Sequence, residues 1–573
     1  MFDIFYKKND NNVLFKHLEK NDFSNLQNYN PLYSIYFSLD EHNYNTINLN
    51  HRYSIHQIKN KNSNNEYIIE CIDSKTNTKQ KFNSFFKFSP LLDPIKFMVG
   101  KYKHIDKQII SSLPRIASNT CCKKVLDTNN SAYVDSFFSY LSSKLLNNVG
   151  FIHGFNFFGS FLTIQNQFKL NIYDDLDYLY DSDFFHKNKN ELFQVDDIDE
   201  DRLLDSDTRN YRKKIKLDKN SDSIDITCDT IDNNIFEGMF QELTTKNLKL
   251  HNSSIEEEYS MNKVNSKEKS AKKTNSTCSS RSSNTDINNN SESCDNSSDD
   301  LIESLSNSQI SDYSTMNSDE IINGTIFNFP VQMICMEKLD NTLDSLLDDD
   351  ENELKNKEWK SCLFQIIMIL ITYQKVFNFT HNDLHTNNIM FVKTDKTFIN
   401  YKYNNVYYKI PTYGKLYKII DFGRAIYSFK GKTICSDSYH PKGDAATQYN
   451  FEPYFNDKKP RLEPNKSFDL CRLACSLFDY FIEDIKEQKT TKNPIAKLII
   501  EWTKDDKGRN ILYKNNGEER YPEFKLYKMI VRTVHNHLPE NQLSNPLFHN
   551  FISSKKKIKK QKVINIDKME SMI

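Results

Sequence analysis

Two stretches decide the fold, FTHNDLHTNNIMF at residues 379–391 and YKIIDFGRA at residues 417–425. In the first, the carboxylate of Asp383 precedes the side-chain amide of Asn388 by five residues. In the second, Asp421 directly follows an apolar, strand-like run. Transfer of a γ-phosphoryl group requires a divalent metal ion on the phosphates and a carboxylate that accepts the hydroxyl proton. The two stretches therefore supply a candidate base, Asp383, and two candidate metal ligands, Asn388 and Asp421.

The pattern H-x-D-L-x-x-x-N at residues 381–388, followed by D-F-G at residues 421–423, resembles the protein kinase family. Both motifs occur in the family's order, and the resemblance covers most of residues 50–552 outside an insertion. It implies an α+β class and a bilobal protein kinase-like fold, with a β-rich N-lobe and an α-helical C-lobe. It also implies ATP and Mg²⁺ as cofactors.

The small lobe matches the family through FFKFSPLL at residues 85–92, which resembles the strand whose lysine binds the α- and β-phosphates. The resemblance assigns this catalytic and nucleotide-binding role to Lys87. An ammonium group between Phe side chains on a strand needs a partner, although a lysine in so Lys-rich a chain can also be simple surface. The family's partner is a Glu, and Asp135 is the one acid in the candidate helix at residues 130–146.

The hinge resemblance lies in the run MEKL at residues 336–339, which ends a strand-like segment. It implies that Met336 is the gatekeeper and that Met336, Glu337 and Leu339 contribute to adenine binding. No G-x-G-x-x-G precedes Lys87, and the whole chain has 12 glycines. We therefore expect the phosphate lid to be a non-glycine hairpin near residues 60–65.

Further along the chain, SFDLCRL resembles the start of the central C-lobe helix, with Asp469 as the buried acid that binds the catalytic-loop backbone. Arg532 resembles the arginine that holds the activation segment. Its partner normally lies in an A-P-E triplet, which is absent, and Glu452 is the nearest substitute. Thr447 lies where Ser/Thr-selective kinases place a threonine that touches the base.

Two departures from the family bear on function. Asn382 replaces the arginine that pairs with a phosphorylated activation loop, so we expect no such switch. His385 stands where Ser/Thr protein kinases usually carry Lys, as in haspin-type kinases and in small-molecule phosphotransferases. We assign His385 a catalytic role toward the transferring phosphate. The first interpretation is a serine/threonine protein kinase that acts on protein substrates. A small-molecule kinase on the same fold, and a pseudokinase scaffold that binds nucleotide weakly, are the alternatives.

Composition excludes several classes of protein. The formal net charge is −1, from 76 Lys and Arg against 77 Asp and Glu, so nucleic acid is not indicated as a partner. The 11 cysteines contain no C-x-x-C pair, which is typical of a reduced, intracellular protein. The N-terminal residues lack the apolar core of a secretory signal. The longest apolar run, Cys362–Ile371, is shorter than the ~20 residues of a membrane span. We expect a cytoplasmic protein.

Periodicity and composition also predict the organisation of the chain. Strands are predicted at residues 53–58, 66–72, 82–88 and 327–336, an extended stretch at 151–165, and helices at 130–146 and 359–379. Residues 252–319 are too polar to bury a core, which predicts disorder. The predicted parts are an N-terminal extension (1–45), the first part of the N-lobe (46–171), an acidic and Ser/Asn-rich insertion, largely disordered (172–324), the last N-lobe strand and hinge (325–340), the C-lobe (341–552) and a basic tail (553–573).

The insertion and the tail, which contains KKKIKKQK at residues 555–562, are candidate binding segments for other proteins. The tail also matches a nuclear-import pattern. A divergent kinase with a large lobe insertion is similar to kinases encoded by large DNA viruses. That resemblance implies action in a host cell or a virion.

Overall fold

The periodic segments form a mixed α and β structure. A computed structural model describes residues 2–20, 22–63, 65–116, 121–196, 322–347, 353–558 and 561–573. Within these ranges the α-helices are α1 Asn12–Leu18, α2 Pro94–Met98, α3 Lys107–Ile110, α4 Lys123–Leu126, α5 Ser131–Lys144, α6 Leu176–Tyr180, α7 Asp183–Asn188, α8 Asn356–Phe377, α9 Phe468–Phe481, α10 Pro494–Trp502, α11 Phe524–Thr533, α12 Pro539–Gln542 and α13 Lys555–Ile558. The mixed content agrees with the predicted α+β class.

The β-strands occur in both halves of the described chain. In chain order they are β1 Tyr6–Lys8, β2 Phe23–Gln27, β3 Ile47–Leu49, β4 Tyr53–Lys61, β5 Glu66–Asp73, β6 Lys79–Pro90, β7 Phe157–Asn171, β8 Phe193–Val195, β9 Asn323–Glu337, β10 Asn341–Thr342, β11 Ile389–Lys393, β12 Phe398–Tyr403, β13 Val406–Pro411, β14 Lys415–Ile419, β15 Ile426–Phe429, β16 Lys432–Cys435, β17 Ile552–Ser553 and β18 Ile564–Asn565.

The largest sheet is antiparallel, with strand order β2-β7-β9-β6-β5-β4, and β8 pairs with β9. Strand β5 buries every second side chain, as alternation of apolar and polar residues predicts for a half-buried strand. Lys87 of β6 lies opposite Ile334 of the neighbouring strand β9, which fixes its position in the sheet. The N-terminal residues predicted as an extension belong to this sheet, because β2 pairs with β7.

Helix α5 is buried along its length and carries Asp135. The side chain of Asn130 caps it by accepting a hydrogen bond from the Ala132 amide, and it also donates to the Leu91 carbonyl. Phe138, on the inner face of the helix, stacks on Phe379 with ring centroids 4.4 Å apart. This packing fixes the rotation of the helix, and therefore the direction in which Asp135 points.

Helix α8 is the central helix of the second half. It is long and apolar enough to cross a membrane by length and composition, and 83% of its most apolar window is buried inside the protein. Trp359 packs against Phe481, and Phe364 against Phe548. Among the described residues it is the one helix with these properties, and interior packing accounts for its apolar surface.

The second half also contains strands that the prediction of an α-helical lobe missed. Strands β12 and β13 form a hairpin whose turn residues, Asn404 and Asn405, have positive φ angles of 49° and 61°. An Asn-Asn turn between alternating runs is a hairpin signal, because Asn tolerates positive φ. Strand β18 of the predicted basic tail pairs with β12, and Ile564 and Ile566 are buried. The tail therefore adds an edge strand to this sheet. Its buried apolar residues lie after the lysine run on which the prediction of a basic tail rests.

The predicted insertion contains ordered secondary structure at its start. Residues 172–196 form α6, α7 and β8, and the predicted disorder of residues 252–319 lies outside the described residues. The two ends of this gap lie side by side, since the Asp196 amide donates to the Asn323 carbonyl at 2.9 Å. The Asp196 carboxylate accepts from the Asn323 amide at 3.0 Å. The chain thus leaves and re-enters the sheet at one point on its edge.

Deletion of residues 252–319 is expected to leave a folded protein, because the hydrogen bonds at the two ends hold the edge without them. Halving the length of a loop changes its closure free energy by only about 0.6 kcal/mol. The melting temperature should therefore change by less than about 4 °C. Differential scanning calorimetry of the full chain and the deletion variant measures this. A large fall in melting temperature would show that the removed segment carries part of the core.

Candidate active site

Strand pairing brings the two motif-bearing loops together. Strand β11 begins directly after Asn388 and β14 ends two residues before Asp421, and these strands pair with Ile389 opposite Ile419. The Ile420 amide then donates to the Asn388 carbonyl at 3.0 Å, so the pairing continues into both loops. Two segments separated by a hairpin in the sequence therefore form one site.

Asp469 of α9 holds the loop before β11 through hydrogen bonds to its backbone. Its carboxylate is fully buried and accepts hydrogen bonds from the amides of His381 and Asn382, both at 2.9 Å. Asn382 has a positive φ of 64°, and its side chain donates to the Arg424 carbonyl at 3.1 Å. The hydroxyl of Tyr449 donates to the Asn382 side chain at 2.6 Å. Asn382 thus ties this loop to the segment after D-F-G through neutral hydrogen bonds.

Asp383 is 3% exposed and has a hydrogen-bond donor that the sequence did not reveal. The hydroxyl of Tyr527, on α11, donates to Asp383 Oδ1 at 2.7 Å, and Arg472 Nε donates to the Tyr527 oxygen at 2.7 Å. Burial alone raises the pKa of Asp383, but the charge of Arg424 and these neighbours outweigh it and lower the pKa to about 2. The carboxylate is therefore ionised at neutral pH.

Asn388 and His385 contact each other beside Asp383. Asn388 Nδ2 donates to the Asp383 carbonyl at 2.9 Å and to His385 Nε2 at 3.1 Å. Burial lowers the pKa of His385 to about 4, although the Asp383 carboxylate raises it. The imidazole is therefore neutral at pH 7, and since Nε2 accepts, its proton lies on Nδ1.

Lys87 connects strand β6 of the large sheet to the loop that carries Asp421. Its Nζ lies 2.9 Å from Asp135 Oδ2 and 3.0 Å from Asp421 Oδ1. Burial lowers the pKa of Lys87, but the two carboxylates outweigh burial and raise it above its usual value. Asp135 Oδ1 also accepts from the Phe422 amide at 2.9 Å, so the shorter acid reaches both the lysine and the D-F-G backbone.

The Phe422 side chain anchors the second loop. It is fully buried, with its ring centroid 4.6 Å from that of Phe138 on α5 and 5.8 Å from that of His381. Asp421 has a positive φ of 61°, which turns the carboxylate toward Lys87 while Phe422 enters the core. Such a conformation is costly for a non-glycine residue and persists where the surroundings enforce it.

Asn388 and Asp421 offer oxygen atoms of the kind that a divalent metal ion prefers. Asn388 Oδ1 is buried without a hydrogen-bond partner in the structure. Buried amide oxygens are rarely left without a partner, because the lost hydrogen bond to water costs free energy of folding. Mg²⁺ prefers oxygen ligands and is typically held by one or two protein groups together with phosphates and waters. Among the described residues there is no cluster of three or more His, Cys, Asp and Glu side chains, so such a metal would depend on substrate oxygens.

A cleft of about 1250 Å³ opens beside these groups. Lys87, Asp135, Asp383 and Asp421 all line it. The hinge candidates do not line this cleft: Met336 and Leu339 are buried, and the Glu337 carboxylate accepts from the Asn156 amide at 2.9 Å. The structure therefore brings the predicted base, lysine and acids together and keeps the predicted hinge apart from this cavity. The adenine-binding role of Met336, Glu337 and Leu339 stays a prediction.

Two contacts predicted around the activation segment differ in the structure. Glu452 does not pair with Arg532; it is exposed and binds Arg461, whose Nη2 lies 2.5 Å from its carboxylate. Arg461 is only nine residues from Glu452 on the same loop, so it takes the place of Arg532 as the partner of this carboxylate. Arg532 instead donates to the Thr447 carbonyl at 2.6 Å. Tyr527, rather than Thr447, donates to the base.

On the sequence-based expectation of ATP-dependent phosphoryl transfer, replacing Tyr527 with Phe should lower kcat about tenfold and leave the KM for ATP unchanged. The substitution removes the hydrogen bond that orients Asp383, and a hydrogen bond to a charged group contributes about 1.5–3 kcal/mol. Steady-state kinetics with varied ATP measures both constants. Tyr513→Phe is a matched control, because Tyr513 donates to Asp479 at 2.9 Å in the same way outside the cleft. Equal kcat values for Tyr527→Phe and the unmodified protein would contradict the positioning role.

Comparison with known proteins yields partial similarities to two viral proteins. The chain is 29% identical over 163 residues to "Uncharacterized protein 098R" of Invertebrate iridescent virus 6, which covers 26% of each chain. It is 35% identical over 92 residues to "Probable kinase 098L" of Invertebrate iridescent virus 3, which covers 16% of this chain and 17% of that protein. The chain thus matches about a quarter or less of either relative's length. No family model matches the chain.

Proposed function

We propose that this protein is an ATP- and Mg²⁺-dependent serine/threonine protein kinase. The observation that carries the proposal is the position of Lys87 Nζ within 3.0 Å of both Asp135 and Asp421, in a cleft that Asp383 also lines. A metal-phosphate site uses such a set, since a cation, a metal-binding carboxylate and a base must converge on the transferred group. The partial similarity to a probable kinase supports phosphoryl transfer as the reaction class.

The architecture supports a bilobal, kinase-like arrangement. The large antiparallel sheet and the buried helix α5 come first in the chain. The helices α8 and α9 follow them and form the centre of the C-terminal part. The strand run β4-β5-β6 followed by α5, β7 and β9 is the order that the resemblance implies for an N-lobe. The loops with Asp383 and Asp421 follow β9, at the boundary between the two halves.

The side chains have separable roles in this proposal. Lys87, held by Asp135, binds the α- and β-phosphates of ATP. Asp383, held by Tyr527, orients the attacking hydroxyl and accepts its proton. His385 donates from Nδ1 to the transferring phosphate as a neutral group. Mg²⁺, held by Asn388 and Asp421, would neutralise the phosphate charge.

His385 favours one alternative, a small-molecule kinase on the same fold, because small-molecule phosphotransferases resemble this chain at that position. The contacts of Asp469 and Arg532 support the protein kinase interpretation, since the family's C-lobe uses such residues to hold the catalytic loop and the activation segment. The similarity to iridovirus proteins supports a viral protein that acts in a host cell. We place that action in the cytoplasm because the eight cysteines of the described residues are buried and form no disulfide, as is usual for proteins of a reducing compartment.

Thermal shift with ATP and Mg²⁺, followed by transfer of radiolabelled γ-phosphate to a mixture of proteins and small alcohols, tests the proposal. We expect an Mg²⁺-dependent rise in melting temperature and label on Ser and Thr in phosphoamino-acid analysis. Label on small alcohols alone would support the alternative. Binding without transfer, or neither binding nor transfer, would contradict the enzyme and leave a scaffold. Label on Tyr alone would contradict the Ser/Thr specificity.

A further inference from the structure

The cleft extends well beyond the catalytic groups, and its outer walls are basic. Residues within 92–109 and 121–127, between β6 and α5, form one wall, and residues within 437–447 form the other. Exposed basic side chains line both walls: Lys101, Lys103, His104, Lys123 and Lys442. These basic side chains are separated in sequence but line one cavity that Asp383 also lines.

The acids of the same walls are turned toward the protein. Asp93 caps α2 by accepting from the Lys96 amide at 3.0 Å, and it is 9% exposed. Asp437 accepts from the Ser131 amide at 3.0 Å and from Lys124. Asp444 forms an ion pair with the buried Arg424 guanidinium. Asp127, which also lines the outer cleft and is half-buried, accepts from the Asn129 amide at 2.9 Å. The carboxylates of the outer cleft are thus hydrogen-bonded or ion-paired within the fold, and the exposed charged side chains of its walls are basic.

The wall that carries Lys101 and Lys103 is anchored at several points. Tyr102, between these lysines, packs against the hydrophobic core, and its hydroxyl accepts from the Asp93 amide at 3.4 Å. The Lys124–Asp437 ion pair joins this wall to the opposite one with a separation of 2.5 Å. These contacts hold the backbone that carries the exposed lysines, so less entropy is lost on binding an anionic ligand than if the wall had to be ordered first.

We propose that this basic cleft binds an acidic peptide segment, so that the protein phosphorylates Ser or Thr near Asp, Glu or phosphoserine. The inference rests on the proposed kinase function and specifies its substrate class. Positive walls beside the base complement acidic flanks and repel basic ones, which gives specificity by electrostatic complementarity. A peptide fits better than nucleic acid, because the formal net charge of the chain is −1 and the floor of the cleft carries the carboxylates of Asp383 and Asp421.

The test compares two Ser peptides of equal length, one flanked by Asp and Glu and one by Ala. The unmodified protein should show a clearly higher kcat/KM for the acidic peptide, and the preference should shrink as salt increases. The double variant Lys103→Glu/Lys123→Glu should lose about tenfold in kcat/KM for the acidic peptide, mainly through KM. Its values for the Ala-flanked peptide and its KM for ATP should be unchanged. The control is Lys486→Glu/Lys497→Glu, which reverses two exposed lysines that do not line the cleft.

Equal use of the two peptides by the unmodified protein, or a preference that survives in the double variant, would overturn the inference. Absence of transfer to every peptide would contradict the kinase proposal, and fluorescence anisotropy with a labelled acidic peptide then tests the cleft separately. Binding that the double variant loses supports the acidic-peptide site, whereas no binding, or equal binding by both, overturns it. Displacement of the peptide by an equal or lower concentration of single-stranded RNA of the same charge would identify a nucleic-acid site instead.

Discussion

Asp421→Asn is expected to reduce kcat of phosphoryl transfer by about 10³-fold or more, because a divalent metal ion contributes several kcal/mol of charge stabilisation. The neutral amide keeps the shape of the side chain but lacks the charge that binds the ion. Since Asn388 supplies only a neutral oxygen, no second protein carboxylate can compensate in this proposed pair of ligands. The apparent affinity for Mg²⁺ should fall together with kcat.

The fold should tolerate this substitution. Burial raises the pKa of Asp135, and the Asp421 carboxylate raises it further, so the two acids repel each other in the absence of metal. With Asn at position 421, Lys87 keeps Asp135 as its partner at 2.9 Å. The melting temperature without Mg²⁺ is therefore expected to stay the same or to rise.

Transfer rates measured across an Mg²⁺ titration, together with melting curves with and without the ion, check both expectations. Asp395→Asn is the matched control, because Asp395 is an exposed carboxylate that does not line the cleft. An Asp421→Asn variant with the unmodified kcat at saturating Mg²⁺ would exclude Asp421 as a metal ligand.

The core of the candidate site could be predicted because its residues occur in short motifs next to strands. Asp383, Asn388 and Asp421 flank β11 and β14, and the pairing of those strands is sufficient to bring them together. Asp135 could be named because it is the one acid in a helix with an obvious apolar pattern. For each of these residues, local sequence and one strand or helix contact determine the position.

Other parts of the site depend on packing that local sequence does not encode. Tyr527 is 144 residues from Asp383, and its hydroxyl reaches the base only because α11 packs on α9. The carboxylates of Asp437 and Asp444 likewise find their partners, Lys124 and Arg424, only through tertiary packing. This pairing leaves the exposed lysines to determine the charge of the cleft walls. The hairpin of β12 and β13 is different, since its Asn-Asn turn is a local signal that the prediction of a mainly α-helical C-lobe did not use.

Asp383→Asn is expected to lower kcat by about two to four decades at saturating ATP, the usual contribution of a positioned general base. The amide cannot accept the hydroxyl proton as a carboxylate does. Its oxygen can still accept the hydrogen bond from Tyr527, so the loop should keep its position and the KM for ATP should change little. Asp479→Asn is a matched control, because Asp479 accepts from Tyr513 at 2.9 Å away from the cleft.

The pH dependence gives a second, independent check on the same base. A carboxylate with a pKa near 2 acts in its deprotonated form, so its contribution is fully present at neutral pH and is lost only as the pH falls toward 2. His385, with a pKa near 4, is neutral at pH values well above 4 and takes up its proton only below them. The kcat of the unmodified protein should therefore show no inflection from either group between pH 5.5 and 8.5, a range set about one unit or more above both values. Full activity of Asp383→Asn, or an inflection near pH 6.5 that His385→Ala removes, would mean that the base is assigned wrongly or that the imidazole titrates during the reaction.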